Sequence, residues 1–263
     1  MTPPVDLDDL LQLAREAGNA ILEIYNTDFE VERKQDNSPL TTADKAAHNI
    51  IVSSLERLTP NIPVLSEESS AIPYETRQQW QRYWLIDPLD GTREFIKRNG
   101  EFTVNIALID AGSPTLGVVH APVLNTTYYG VLGNGAWKLE ADRSAQSIHV
   151  TEHYRKPVRV AGSRSHAGDS LLRFLDNLGE HKLVSMGSSL KLCLVAEGKA
   201  DIYPRLGPTS EWDTAAAQAV VEAAGGQVTT LDLKPLEYNT KESLLNPYFL
   251  VFGDRATDWS NYL

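Results

Sequence analysis

Trp84-Leu85-Ile86-Asp87-Pro88-Leu89-Asp90-Gly91-Thr92 is an apolar run that ends in two aspartates three residues apart, followed by glycine and threonine. A short apolar run bounded by turn residues predicts a buried strand. Carboxylates at the end of such a strand point into the crevice where α/β folds hold ligands. Pro88 fixes one backbone dihedral and helps give both carboxylates a common orientation. Gly91 permits a tight turn, and the N–H groups after it could cradle an anion. A polar turn in which Thr92 caps a helix accounts for the same residues locally. The rest of the chain has to decide between these readings.

Two further acidic sites stand at element ends. Ser66-Glu67-Glu68-Ser69 follows the apolar Pro63-Val64-Leu65, and Glu211-Trp212-Asp213-Thr214 opens an Ala-rich helix. Either glutamate could lie on a solvated face, and Asp213 would serve as a helix N-cap. Acidic sites at strand and helix ends, with no histidine or cysteine cluster, suit a hard cation such as Mg²⁺ better than zinc. His149 and His153 are four apart, but Ile148 and Val150 suggest strand or loop rather than a zinc-binding helix face. Cys193, within Leu192-Cys193-Leu194-Val195, reads as a small buried hydrophobe.

Around these sites the first half reads as two helices followed by strands. Leu10, Leu13, Ala14, Ala17, Ile21 and Ile24 recur at helical spacing after Asp6, a plausible N-cap. A second helix is predicted over 42–58, with Ala46, Ala47, Ile50, Ile51, Leu55 and Leu58 buried. Strands are predicted over 62–65, 83–86, 115–119, 127–132 and 136–139, and Phe102, Val104, Ile106 and Leu108 alternate as in a half-buried strand. Residues 141–157 are polar and irregular, which divides the chain into an α+β part, 1–150, and an α/β part, 151–263. The second part reads as strands over 158–161, near Leu183, over 200–203 and over 248–252. Helices over 169–178, 188–196 and 213–224 alternate with them, the last stopped by Gly225-Gly226.

Composition sets the outer bounds. The 263 residues are 42% hydrophobic and 22% charged, with 17 Gly and 14 Pro, which excludes disordered, collagenous and disulfide-scaffold classes. A formal charge of −11, from 24 basic and 35 acidic residues, argues against nucleic acid and anionic membrane surfaces as partners. One cysteine excludes an intrachain disulfide and fits a reducing compartment. The acidic amino terminus and the lack of a long apolar run predict neither an export signal nor a membrane span.

Three separated blocks carry a family resemblance: Glu67-Glu68, Asp87-Pro88-Leu89-Asp90-Gly91-Thr92, and Trp212-Asp213-Thr214 with its Ala-rich helix and Gly225-Gly226. In this order they resemble the lithium-sensitive, Mg²⁺-dependent inositol monophosphatase superfamily. The two-residue gap between Asp87 and Asp90 departs from the Asp-x-Asp of haloacid-dehalogenase-type phosphatases. Gly91 to Thr103, Ser163-Arg164-Ser165-His166, and Gly187-Ser188-Ser189-Leu190-Lys191 leading into Leu194-Val195-Ala196-Glu197-Gly198 are similar to the 3'(2'),5'-bisphosphate nucleotidases of the CysQ type within it. The resemblance implies a layered αβαβα sandwich. It also implies hydrolysis of 3'-phosphoadenosine 5'-phosphate to AMP and phosphate by metal-activated water, as part of sulfur metabolism.

Carried over by position, the resemblance implies Glu67, Asp87 and the Leu89 carbonyl as ligands of a first Mg²⁺, and Asp87, Asp90 and Asp213 around a second. Two or three ions per site are implied, and two would bring the formal charge to about −7, so an anionic nucleotide is an acceptable substrate. Thr92 and Asp44 resemble the pair that orients and deprotonates the attacking water, with Glu67 beside them. Thr41-x-x-Asp44 is also a capping-box pattern, and one helix terminus could fill both roles. Gly91, Thr92, Gly187 and Ser188 are candidates around the phosphate, joined by Glu67, Leu89, Asp90 and Asp213. Ser163, Arg164, His166, Lys191 and Arg205 are candidates for the rest of the nucleotide. Tyr203-Pro204-Arg205 carries a cation where inositol monophosphatases carry a glutamate for an inositol hydroxyl, which favours a second phosphate. Arg93, Lys97 and Arg98 either steer the anion or are solvated.

An inositol or sugar monophosphate phosphatase of the same superfamily is the alternative enzyme. A non-catalytic metal- or nucleotide-binding regulator is the alternative of another class. The resemblance implies a cytoplasmic monomer or homodimer, with peripheral association at the inner membrane left open.

Overall fold

The computed structural model describes residues 3–27, 31–33, 39–141, 143–162 and 168–263. Helix α1 (Leu7–Tyr25) begins at Asp6, whose carboxylate accepts the Asp8 amide at 2.9 Å. Its buried face is Leu10, Leu13, Ala14, Ala17 and Ile21, as its spacing requires. A hairpin of β1 (Val31–Arg33) and β2 (Pro39–Thr41) leads into α2 (Thr42–Leu58). On α2, Ala47, Ile51 and Leu55 are buried, but Ala46, Ile50 and Leu58 are only half-buried. Ala43 and Asp44 are buried in their place, so the inward stripe includes a carboxylate.

The strands β3 (Val64–Ser66), β4 (Arg82–Asp90), β5 (Thr103–Asp110), β6 (Ser113–Ala121), β7 (Thr126–Val131), β8 (Gly135–Glu140) and β9 (Gln146–Ile148) lie side by side in chain order in one sheet. Only the β3–β4 pair in this sheet is parallel. Two short helices flank β4 in sequence, α3 (Tyr74–Arg77) and α4 (Thr92–Ile96). The half-buried reading of 102–108 is corrected here, because every residue of β5 up to Ile109 is buried. Val104, Ile106 and Leu108 meet α1 and α2, while Ala107 and Ile109 face a second helical layer.

The second half supplies β10 (Val158–Gly162), α5 (Asp169–Leu178), β11 (His181–Ser185), α6 (Leu190–Ala196), β12 (Ile202–Arg205), α7 (Glu211–Ala223), β13 (Gln227–Thr230) and β14 (Phe249–Phe252). These strands form a second sheet in the order β11-β10-β12-β14-β13, with β10 parallel to both β11 and β12. Helices α6 and α7 lie between the two sheets, where Leu85, Ala107 and Val119 share one core with Val195, Val220 and Val251. On the outer face of the second sheet, Phe174 and Leu178 of α5 pack with Val160, Leu250 and Trp259. The layers therefore run α1/α2, large sheet, α6/α7, small sheet, α5: an αβαβα sandwich. The large sheet closes at Ile148 and the small one opens at Val158, on either side of residue 150. No helix among the described residues is long and apolar enough to cross a membrane.

Small residues set how closely α7 approaches the large sheet. Ala215, Ala216, Ala217 and Ala219 are buried on the helix. A Cβ on Gly117 would overlap the Ala216 carbonyl oxygen, and one on Gly130 would lie 2.8 Å from the Val220 Cα. Backbone and backbone are thus in contact, and the middle and last turns of α7 are held against the sheet.

Candidate active site

Residues three apart on a regular strand point to opposite faces, because side chains alternate with a period of two. Asp87 and Asp90 escape that rule. Asp87 pairs with Asn105 and Asp90 with Thr103, so β4 carries one extra residue between them, a bulge at Pro88–Leu89. Proline is tolerated at such a point because no ladder hydrogen bond is required of it. The bulge returns both carboxylates to one side, where oxygens of Asp87, Asp90 and Asp213 all lie within 4.8 Å of one another. The Asp87 carboxylate also accepts the Leu89 amide at 3.0 Å, which fixes its rotamer inside the bulge.

Two more carboxylates reach this point from the first half. Ser66 pairs with Ile86 in the parallel β3–β4 ladder, so Glu67, the next residue, follows alongside Asp87. It opens a 3₁₀ turn and is half-buried. Asp44 is fully buried in the first turn of α2. Burial pushes the Asp87 carboxyl well above its usual range, and Glu67, Asp90, Asp213 and Asp44 push it in the same direction. Asp213 is pushed up to about 8, chiefly by burial and then by Asp90. Burial also raises Asp90, while Lys191 and the Ser189 amide pull it back. Converging buried carboxylates of this kind repel one another until a cation or protons neutralise them. An all-oxygen donor set fits a hard divalent ion, and Asp87, Asp90, Asp213, Glu67 and the Leu89 carbonyl are the groups that could hold it.

Gly91 adopts φ 92° and itself occupies the N-cap position of α4. Thr92 is therefore the first helical residue rather than the cap, which corrects the local reading. Its hydroxyl donates to the Leu89 carbonyl at 3.5 Å. A similar correction applies at α7, where Ser210 is the N-cap and Asp213 stands at the third position of a capping box, accepting the Ser210 amide at 2.8 Å. The carboxylate thus satisfies a backbone donor and still faces β4.

The opposite wall of the cleft comes from the second half. The C-terminal ends of the parallel strands β10, β11 and β12 face it, so Gly162, Gly187 and Arg205 line a cavity of about 850 Å³ together with Asp90, Asp213 and Lys191. Gly187 is confined, since a Cβ there would lie 2.7 Å from the Glu101 carbonyl oxygen. Ser188 sits at φ 40°, a left-handed conformation that is strained for a residue with a side chain. Lys191 is not solvated: it is 7% exposed, donates to the Ser188 carbonyl at 2.6 Å and lies 5.8 Å from the centre of the Tyr203 ring. Burial lowers its ammonium to about 8 although Asp90 pulls it upward. The Arg205 guanidinium donates to the Pro208 carbonyl at 2.6 Å.

Arg93 and Lys97 line the same cavity. Arg98 turns away and donates to the Tyr25 and Thr27 carbonyls. Ser163, Arg164 and His166 lie outside the described residues, although Gly162 and Gly168 on either side line the cavity. Sequence reasoning missed Ser189, whose amide donates to Asp90 at 2.6 Å and whose hydroxyl donates to Asn105 at 3.0 Å. It missed Asn105 as well, although a polar residue amid the apolar alternation of β5 was a visible sign. His149 meets the Ser147 hydroxyl at 3.2 Å, and Cys193 is buried.

The sequence matches the model of the inositol monophosphatase family over residues 6–256. A Salmonella typhimurium protein named 3'(2'),5'-bisphosphate nucleotidase CysQ is 56% identical over 247 residues, covering 93% of this chain and 98% of its own length. The Haemophilus influenzae protein of that name is 40% identical over 254 residues, covering 96% and 94%. Among solved structures, CysQ from Bacteroides thetaiotaomicron superposes with a TM-score of 0.81 at 42% identity, over 93% of this chain and 96% of that one. An inositol monophosphatase from Thermotoga maritima gives 0.78 at 27% identity, over 97% and 94%. The five carboxylates, the β4 bulge and the full-length match lead to one assignment: this chain belongs to the inositol monophosphatase family.

Proposed function

We propose that this protein is a Mg²⁺-dependent 3'(2'),5'-bisphosphate nucleotidase that removes the 3'-phosphate of 3'-phosphoadenosine 5'-phosphate, releasing AMP and phosphate. The observation that carries the reading is the cleft's division of charge. Carboxylates Asp44, Glu67, Asp87, Asp90 and Asp213 gather at one point, and the cavity that Asp90 and Asp213 open onto is also lined by the buried Lys191 and the half-buried Arg205. A substrate with two phosphates suits such a cleft: the carboxylates would hold a cation that offsets the charge of one phosphate, and the basic side chains meet the second directly. An inositol phosphate brings hydroxyls to that second position, where cations are poor partners. The full-length similarity to proteins named 3'(2'),5'-bisphosphate nucleotidase supports the same substrate.

When bound, Mg²⁺ supplies charge stabilisation to the attacking and leaving oxygens. The chain's own groups do the rest. In this reading Asp44 accepts a proton from the attacking water and the Thr92 hydroxyl orients it. The water oxygen bonds to phosphorus as the bond to the ribose 3'-oxygen breaks; solvent water gives that oxygen its proton, and Asp44 returns the proton it took to solvent. The amides of Gly91 and Thr92 face the phosphate, and Gly187 and Ser188 close the cleft over it. Lys191 and Arg205 hold the 5'-phosphate, so binding energy far from phosphorus orients the reacting group.

The test is phosphate release from 3'-phosphoadenosine 5'-phosphate and from inositol 1-phosphate, with and without Mg²⁺ and with added Li⁺. Higher kcat/KM on the nucleotide, dependent on Mg²⁺ and depressed by Li⁺, is expected. Preference for inositol 1-phosphate would transfer the assignment to the inositol phosphatases. Absence of release from any phosphoester would revive the non-catalytic reading.

A further inference from the structure

The capping box at Asp213 satisfies the backbone of its turn, but it does not determine where that turn sits relative to β4. The determining contacts come from the connection between β13 and β14. Leu245 bridges Ser210 in antiparallel fashion, the Glu211 amide donates to the Leu244 carbonyl at 2.8 Å, and the Asn246 amide donates to the Thr209 carbonyl at 2.8 Å. Inside this clasp the Asn246 side-chain amide nitrogen lies 2.8 Å from the Ser210 carbonyl, 3.0 Å from the Thr214 hydroxyl and 3.3 Å from the Thr209 hydroxyl. Asn246 is 8% exposed. The Thr214 hydroxyl is anchored in turn by the Tyr238 hydroxyl at 3.0 Å, which donates to Gln218 at 2.8 Å.

One buried amide therefore grips the chain on both sides of Asp213, at residues 209–210 before it and at Thr214 after it. Like-charged carboxylates within 4.8 Å push the first turn of α7 away from β4 whenever neither a cation nor protons neutralise them. An anchor behind the turn is what opposes that push. We infer that Asn246 is a positioning residue for the cation site, setting Asp213 against Asp87 and Asp90 without itself touching cation or substrate. The inference rests on the reading of Asp213 as a cation ligand.

The test uses the full chain and measures Mg²⁺ binding by calorimetry and by the Mg²⁺-induced rise in Tm, beside steady-state kinetics. Asn246→Ala is expected to weaken Mg²⁺ about ten-fold, as removal of an outer hydrogen-bonding partner does at metal sites, while KM for the nucleotide at saturating Mg²⁺ moves less than about two-fold. Thr214→Val keeps the shape of the side chain and removes one acceptor, and should shift Mg²⁺ affinity in the same direction. It carries the test if Asn246→Ala does not fold. Phe174→Leu in the outer core should lower Tm and leave Mg²⁺ affinity at the parent value, which separates positioning from general loss of stability. Weakened binding in Asp213→Asn with parental affinity in both clasp variants would overturn the inference. Parental affinity in Asp213→Asn would overturn the ligand reading itself.

Discussion

The Ser189 amide donates to the Asp90 carboxylate at 2.6 Å, across the division between the two halves of the chain. Asp90 ends a strand of the large sheet, and Ser189 opens the first turn into α6. The Ser189 hydroxyl is also tied to Asn105 at 3.0 Å and to Thr103 at 2.8 Å, both on β5. A hydrogen bond to a charged group contributes about 1.5–3 kcal/mol, and here it offsets part of the desolvation of Asp90. The environment of the Asp90 carboxylate is thus completed by a residue from the second half of the chain. Any movement of α6 with its Lys191 is felt at the carboxylates.

Repulsion among those carboxylates makes the cation-free protein sensitive to pH. Asp213 rises from an ordinary 3.8 to about 8 in the folded state. A carboxyl that binds its proton more tightly when folded contributes stability that is lost as pH rises through that interval. Without divalent cation, Tm should fall between about pH 4 and pH 8, and Asp213→Asn should flatten the fall. Above pH 7 the variant should melt higher than the parent without Mg²⁺, and the order should reverse with Mg²⁺ present. Thermal unfolding across pH, with chelator and with Mg²⁺, checks both halves; parallel curves would refute them.

Asp44 is fully buried in the first turn of α2 and raises the pKa of Asp87 electrostatically, so it faces the cluster rather than solvent. Asp44→Asn keeps its volume and removes its ability to take a proton. The fold should persist, and kcat should fall about 10²- to 10⁴-fold, the usual contribution of a positioned base. Circular dichroism and steady-state kinetics at saturating Mg²⁺ are the measurements. A near-normal kcat would remove Asp44 from the proton transfer.

Local chemistry explains which parts of the molecule were legible in sequence. Asp6 capping α1 and the span of α5 depend on residues within one or two turns, and both matched. Asp87 and Asp90 could be read as a pair. The bulge that makes them a pair could not, because a strand's register is defined only by its partner, β5. Strand β13 escaped notice because Gln227-Val228-Thr229-Thr230 is short and mostly polar, and lies at a sheet edge where only pairing with β14 identifies it. Lys191 has the local sequence of a solvated helical lysine; its ammonium turns back to the Ser188 carbonyl three residues earlier, and Tyr203, brought in by the tertiary fold, packs over it. Ser189 and Asn246 act through partners far away in sequence, which no local pattern encodes.

The buried lysine gives the substrate side its own pH dependence. Burial brings Lys191 down to about 8, so its charge is present at neutral pH and lost as pH rises through that value. kcat/KM for the bisphosphate substrate, which reports the free enzyme, should decline above about pH 8 at saturating Mg²⁺. Lys191→Met should remove that limb and raise KM about ten- to hundred-fold, the loss expected for a charge-assisted contact. A nucleotide lacking the 5'-phosphate should lose far less. Equal losses on the two substrates would detach Lys191 from the second phosphate.

Close packing of α7 on the large sheet brings Asp213 to the cluster. At Gly117 a Cβ would overlap the Ala216 carbonyl oxygen and lie 2.9 Å from the Ala219 Cβ, so neither a rotamer change nor a flexible neighbour can accommodate it. Gly117→Ala must push α7 off the large sheet, with a loss of about 3 kcal/mol. Gly133 is a useful contrast: it has φ +83° and nothing within 4 Å of its Cβ position, so alanine there meets only backbone strain, about 1 kcal/mol. Because Asp213 rides on α7 while Asp87 and Asp90 stay with β4, Gly117→Ala should also weaken Mg²⁺ binding, and Gly133→Ala should leave it unchanged. Denaturant unfolding together with Mg²⁺ titration separates the two. If Gly117→Ala loses stability but binds Mg²⁺ as the parent does, the close approach of helix and sheet serves the core alone and the cluster tolerates a displaced α7.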